Sequence, residues 1–89
     1  MDNVLDHDEL NVARQLLFHY GRPGGYAPGD FHFRLIQAFE KADMKNTQRL
    51  FEAFPEFRRP VKVLKEYGSS QLLEVVRRSH KHHYGEDVR

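Results

Sequence analysis

Five stretches of this chain repeat apolar residues at helical spacing, and glycine, proline or capping side chains separate them. The first runs from Asp6 to Tyr20. Leu10, Ala13, Leu17 and Tyr20 form its stripe with Leu16 beside them, and Asp6 followed by Glu9 has the form of a capping box. Gly21 ends it as a left-handed residue would. The second, Asp30 to Ala42, carries Phe31, Leu35, Phe39 and Ala42, widened by Ile36, with Asp30 as its cap. The third, Asp43 to Phe54, opens on Asp43 and Asn46 three apart and buries Thr47, Leu50, Phe51 and Phe54. Pro55 stops it. The fourth, Glu56 to Tyr67, tolerates Pro60 near its first turn and presents Phe57, Val61, Leu64 and Tyr67. Gly68 closes that helix, and Ser69 or Ser70 caps a fifth, Gln71 to His82, with Leu72, Leu73 and Val76 inward. The run Leu73 to Val76 also suits a short strand, but nothing else in the chain offers it a partner strand. The expected fold is all-α. Residues 1–89 form one domain, a small bundle of four to five short helices with a Gly/Pro-rich loop after the first, frayed at 1–5 and 84–89.

The loop, residues 21–29, holds four Gly and two Pro in nine positions, which excludes regular structure. Its Tyr26 either pins the loop to the core or stands out as a binding aromatic. Phe33 falls off the stripe of its helix, which marks burial on two faces or an exposed contact.

Length bounds the rest. Eighty-nine residues bury a modest fraction of their surface, so a partner subunit can supply part of the core. Seven Phe and four Tyr soften that limit. There is no cysteine, which removes disulfides, thiolate metal sites and a cysteine nucleophile. The acidic start, Met1 to Asp6, is not a signal peptide, and no apolar run is long enough to span a membrane. Net charge is +1 but uneven, −3 over residues 1–44 and +4 over 45–89. The bases in the second half are solvated helix faces or a surface for an acidic partner.

Chemistry finds little support. His80, His82 and His83 cluster beside Lys81 and Tyr84, yet no acid stands near until Glu86, and zinc sites need three or four convergent ligands. Ser69, Ser70 and Ser79 lack an elbow or triad context, and the glycines of the loop lack the strand and Lys-Ser/Thr pair of a phosphate-binding loop. No metal, no cofactor and no catalytic residue is expected. The case for nucleic acid rests on Arg58, Arg59, Lys62 and Lys65 in the fourth helix and Arg77, Arg78 and Lys81 in the fifth. The second and third helices, joined tightly at Ala42-Asp43, have the outline of a helix-turn-helix, but Lys45 and Arg49 are the only bases on its reading helix.

The span from Gly24 to Pro55 resembles small proteins of actinobacteriophages, the mycobacteriophage-like group. Their shape is Gly-Gly-Tyr-x-Pro-Gly-x-Phe, an apolar helix ending in Ala-Asp, then Asn, Arg-Leu and Phe-Pro. Here those elements are Gly24-Gly25-Tyr26, Pro28-Gly29, Phe31, Ala42-Asp43, Asn46, Arg49-Leu50 and Phe54-Pro55. The resemblance implies a phage origin and a fold core, without an assigned activity. The expected function is therefore that of a phage accessory protein in the host cytoplasm that acts by binding a host protein, a phage protein or its own copy. Tyr26, Phe33 and the seven bases named above are its candidate contacts. A nucleic-acid-binding regulator and a minor virion component are the alternatives.

Overall fold

The first helix starts where two groups cap each other. The Glu9 amide donates to the Asp6 carboxylate at 2.8 Å, and the Asp6 amide donates to the Glu9 carboxylate at 3.0 Å. Two amides without intrahelical partners are thereby satisfied. In the computed structural model, which describes residues 4–85, α1 then runs His7–His19. It ends in a left-handed turn at Gly21 (φ 71°), where the Gly21 amide reaches the Phe18 carbonyl at 3.1 Å and the Arg22 amide the Leu17 carbonyl at 2.8 Å.

The described residues contain α2 (Asp30–Lys41), α3 (Met44–Ala53), a 3₁₀ turn (Pro55–Phe57), α4 (Arg58–Tyr67) and α5 (Ser69–Tyr84), and no strand. The all-α expectation holds. The helix junctions differ from the sequence reading in three places. Gly29 holds the cap position of α2 with no side-chain cap bond, so Asp30 is the first helical residue rather than the cap. The fourth helix begins at Arg58 rather than Glu56, because the Pro60 ring would meet the carbonyl four residues back in a continuous helix. The chain takes a 3₁₀ turn first, which leaves Pro60 in the first turn of α4. The fifth helix begins at Ser69 with Gly68 in the cap position, so neither Ser69 nor Ser70 caps it, and it extends past His82 to Tyr84.

The molecule has two layers. α1 packs directly on α4, α5 and the 3₁₀ turn, and α4 packs on α5. Leu10, Ala13, Leu16 and Leu17 meet Val61, Leu72, Val75 and Val76 in this body. The second layer is the α2–α3 hairpin, attached mainly through long side chains. Phe39 of α2 stacks on Phe57 at 5.2 Å between ring centroids, Phe51 of α3 lies 5.4 Å from Phe39, and Phe57 is fully buried. The Lys65 ammonium donates to the Phe39 carbonyl at 3.3 Å, a cation at the negative end of α2.

Most of the buried apolar residues lie outside residues 24–55. That span builds the loop and the outer hairpin rather than the centre. Tyr20, Phe31 and Tyr67, placed inward by periodicity, are exposed. Each sits in the first or last turn of its helix or just beyond, where α1 and its neighbours no longer cover it. At the other end of the chain, Leu5 is 1% exposed, and its amide donates to the buried Ser79 hydroxyl at 2.8 Å. Leu5 is thus held to α5 and Val4 to α4 through Arg59, while Tyr84 is the last residue of α5 and Gly85 its cap. The other positions expected to fray, 1–3 and 86–89, lie outside the described residues.

The loop is fixed by one close approach. A Cβ on Gly25 would stand 2.4 Å from both the Arg14 carbonyl and the Phe18 amide nitrogen, so backbone lies on backbone there. Gly25→Ala is expected to destabilise the protein by about 1–3 kcal/mol through overpacking. Phe57→Ala is expected to cost about 3–5 kcal/mol and to leave much of the chain unfolded. Urea titrations followed by circular dichroism check both; an unchanged midpoint for Phe57→Ala would remove the stack as the link between layers.

Candidate functional site

The expected basic surface loses part of its charge to internal partners. Arg59 corrects the reading most. Its Nε donates to Glu9 Oε2 at 2.7 Å and its Nη2 to Glu9 Oε1 at 2.5 Å, a two-point fork against a carboxylate that is 10% exposed. Nη2 also donates to the Val4 carbonyl at 2.9 Å. Arg59 therefore ties α4 to the start of α1 and is not a free contact. Lys65 is spent on the end of α2, and Arg77 pairs with Glu74 at 3.3 Å. Arg58, Lys62, Arg78 and Lys81 remain exposed. The motif gave no sign of these pairings, since Glu9 and Arg59 are fifty residues apart in sequence.

The aromatic candidates separate as well. Phe33 is half-exposed with its ring 6.1 Å from that of His19. His19 and the Tyr20 hydroxyl both approach Glu40, at 3.3 and 2.9 Å. Burial first, and then the bond to Glu40 and its charge, push the Tyr20 phenol up to about 12. Phe31, which periodicity placed in the core, is 61% exposed. Its ring meets Phe54 edge-on at 5.7 Å, and Phe54 meets Phe57 at 6.5 Å. A ladder of rings thus runs from the buried centre to the surface and ends on Phe31. A shallow cleft of about 430 Å³ is lined by Asp6, Asp8, Glu9, Ala53, Pro55 and Glu56, with the Glu9 carboxylate paired to Arg59.

Tyr26 ties the loop to the surface of α1 rather than to the core. It stays partly exposed, and its hydroxyl donates to Asn11 Oδ1. It lines a second cleft, between α1 and α5, with Arg14, His80 and Tyr84. Arg14 Nη1 donates to the Gly24 carbonyl at 2.7 Å and Nη2 to His80 Nδ1 at 2.6 Å. A guanidinium has no acceptor, so His80 Nδ1 holds the lone pair and Nε2 the hydrogen. Burial pushes the Tyr26 phenol up; Arg14 pulls against this and Tyr84 adds to it. Sequence reading passed over Arg14, whose bases-only signal was lost in an acidic half.

The histidines divide among structural tasks. His83 Nε2 donates to the Leu5 carbonyl at 2.6 Å, and the His7 ring lies 4.3 Å from that of His83. Among the described residues no group of three or more His, Cys, Asp or Glu could hold a metal ion. Ser79 Oγ accepts from Leu5 and donates to the Val75 carbonyl at 2.7 Å, and Ser69 Oγ accepts from Arg22 Nε at 2.8 Å. None of the described helices is long and apolar enough to cross a membrane. Comparison of the chain with protein-family models, with curated proteins and with solved structures returns no match.

The Glu9 carboxyl has a testable titration. Burial raises it, but the Arg59 hydrogen bonds and charge together with the Asp6 amide outweigh burial and hold it below its ordinary 4.5. A depressed native value means that its stabilisation is complete above 4.5 and is lost as pH falls through the native value. Melting temperature measured between acid and neutral pH should fall below that window. Glu9→Gln should flatten this acid limb and cost about 1–3 kcal/mol at neutral pH. An acid limb as steep in Glu9→Gln as in the parent would refute the assignment.

Proposed function

We propose that the chain is a small accessory protein of bacteriophage origin that acts in the host cytoplasm by binding another protein rather than by catalysis. The origin rests on the Gly24-to-Pro55 resemblance. The binding mode rests on one observation, the outward end of the ring ladder at Phe31. An aromatic that is braced behind and bare in front loses little side-chain entropy when a partner covers it, which is the property of interface anchors. The acidic cleft that Ala53 and Pro55, the chain neighbours of Phe54, share with Asp6, Asp8 and Glu56 gives the partner its chemistry. That partner presents an apolar socket rimmed by Lys or Arg. It is a host or a phage protein, and a second copy of this chain is the special case in which α4 and α5 supply the bases.

Nucleic acid fits less well. Arg59, Lys65 and Arg77 are engaged within the molecule, and Glu66 and Glu74 are exposed on the same two helices as the remaining bases. Phosphate contacts require a run of unopposed cations.

The test uses the whole chain as bait in host lysate, with and without nuclease, beside Phe31→Ser and the pair Arg78→Glu, Lys81→Glu. Phe31→Ser should shift stability by less than about 1 kcal/mol, because little of the ring is covered. The expected result is a protein retained through nuclease and lost with Phe31→Ser. Retention that nuclease or the charge reversals abolish, and that Phe31→Ser leaves intact, would overturn the reading in favour of nucleic acid.

A further inference from the structure

The cleft between α1 and α5 has a volume of about 410 Å³, with Leu10 as an apolar wall and Tyr26 and Tyr84 as aromatic ones. Its polar groups are unevenly spent. Asn11 Oδ1 accepts from the Tyr26 hydroxyl, and His80 Nδ1 accepts from Arg14. Asn11 Oδ1 and His80 Nδ1 are thus each engaged from within. The donors are not. Arg14 carries five N–H hydrogens and uses one on each Nη, so Nε–H and a second hydrogen on each Nη remain. His80 keeps Nε2–H, and Asn11 keeps both hydrogens of Nδ2. No carboxylate lines the cleft. Tyr84 closes one side together with His7, its hydroxyl 3.3 Å from His7 Nδ1. A concave site with spare donors around one fixed guanidinium and no carboxylate is complementary to an anion.

Arg14 is also held in place before any ligand arrives. The Gly24 carbonyl fixes one arm of its fork and His80 the other, so the side-chain ordering that binding normally requires is already done. The Gly25 contact with the backbone of α1 holds the loop that supplies both the Gly24 carbonyl and Tyr26.

From this we infer that the cleft binds a phosphate monoester borne on a flat ring, the chemistry shared by nucleoside monophosphates and aryl phosphates. The phosphoryl oxygens face Arg14, Asn11 and His80, and the ring lies along Tyr26 and Tyr84. Inorganic phosphate alone would leave the aromatic walls unused. The site is separate from the Phe31 patch, and either can fail without the other.

Isothermal titration of the full chain at low ionic strength, with four probes, tests the inference. Adenosine monophosphate and phenyl phosphate should each bind at least about tenfold tighter than inorganic phosphate, and adenosine should not bind. The tighter of the first two identifies which ring the cleft prefers. Asn11→Asp keeps the oxygen that Tyr26 needs but replaces two donors by negative charge; it should weaken adenosine monophosphate by about tenfold or more without moving the melting temperature. Tyr84→Leu, at the exposed end of α5, should narrow the gap between adenosine monophosphate and phosphate. Absence of binding by all four probes, adenosine binding equal to its monophosphate, or unchanged affinity in both variants would overturn the inference.

Discussion

The burial of one ring, Phe57, is the constraint on which the two layers depend. It sits in the 3₁₀ turn between the hairpin and the three-helix body, and it is touched from several sides. Phe39 stacks on it, while Phe54 and His32 meet it edge-on, His32 at 5.1 Å. His32 is itself held by a 2.7 Å hydrogen bond from Nδ1 to Gln15 on α1. The hairpin has few close backbone contacts with the body, so its position is set by side-chain shape. Aromatic rings suit that task because each covers a large area with only two torsions to fix. The cost is a core with little redundancy, as expected for a domain of this size.

Polar contacts hold what the rings do not reach. Glu9 joins the helix cap of α1 to α4 through Arg59, and Leu5 is held to α5 through Ser79 and His83. These bonds act at the edges of the body, where apolar cover is thinnest. They also decide which charges a partner can meet. A surface that looks strongly basic in sequence becomes mixed once Arg59, Lys65 and Arg77 have found intramolecular acceptors, and an acidic cleft lies between the start of α1 and the stretch around Pro55.

The helices, the loop and two of the caps were legible in the sequence because each is a local event, whereas the caps expected at Asp30 and at Ser69 or Ser70 are not made. Asp6 with Glu9 and Asp43 with Asn46 act within one turn; the Asn46 amide donates to Asp43 at 2.8 Å. The start of α4 was legible only in part, since Pro60 signals a boundary without saying which residue absorbs it. Exposure at helix ends was hidden. The stripes that include Tyr20, Phe31 and Tyr67 continue past the point where a neighbouring helix stops, and periodicity carries no information about where neighbours end. The Arg14 cleft was hidden for a related reason. It needs α1, the loop and α5 at once, and His80 and Tyr84, sixty-six or more positions from Arg14, gave only the fact that they share a face.

The contact between Gly25 and the backbone of α1 has a bearing on how the protein would behave in a cell. Proteases cut segments that can lift away and lie extended in a cleft for several residues. The glycine- and proline-rich connection has the composition of such a segment, yet it is seated on the helix at Gly25 and bonded through Gly24 and Tyr26. Cleavage there requires the loop to detach from α1, so the chain's lifetime against degradation is tied to the opening of this one seam rather than to loop composition.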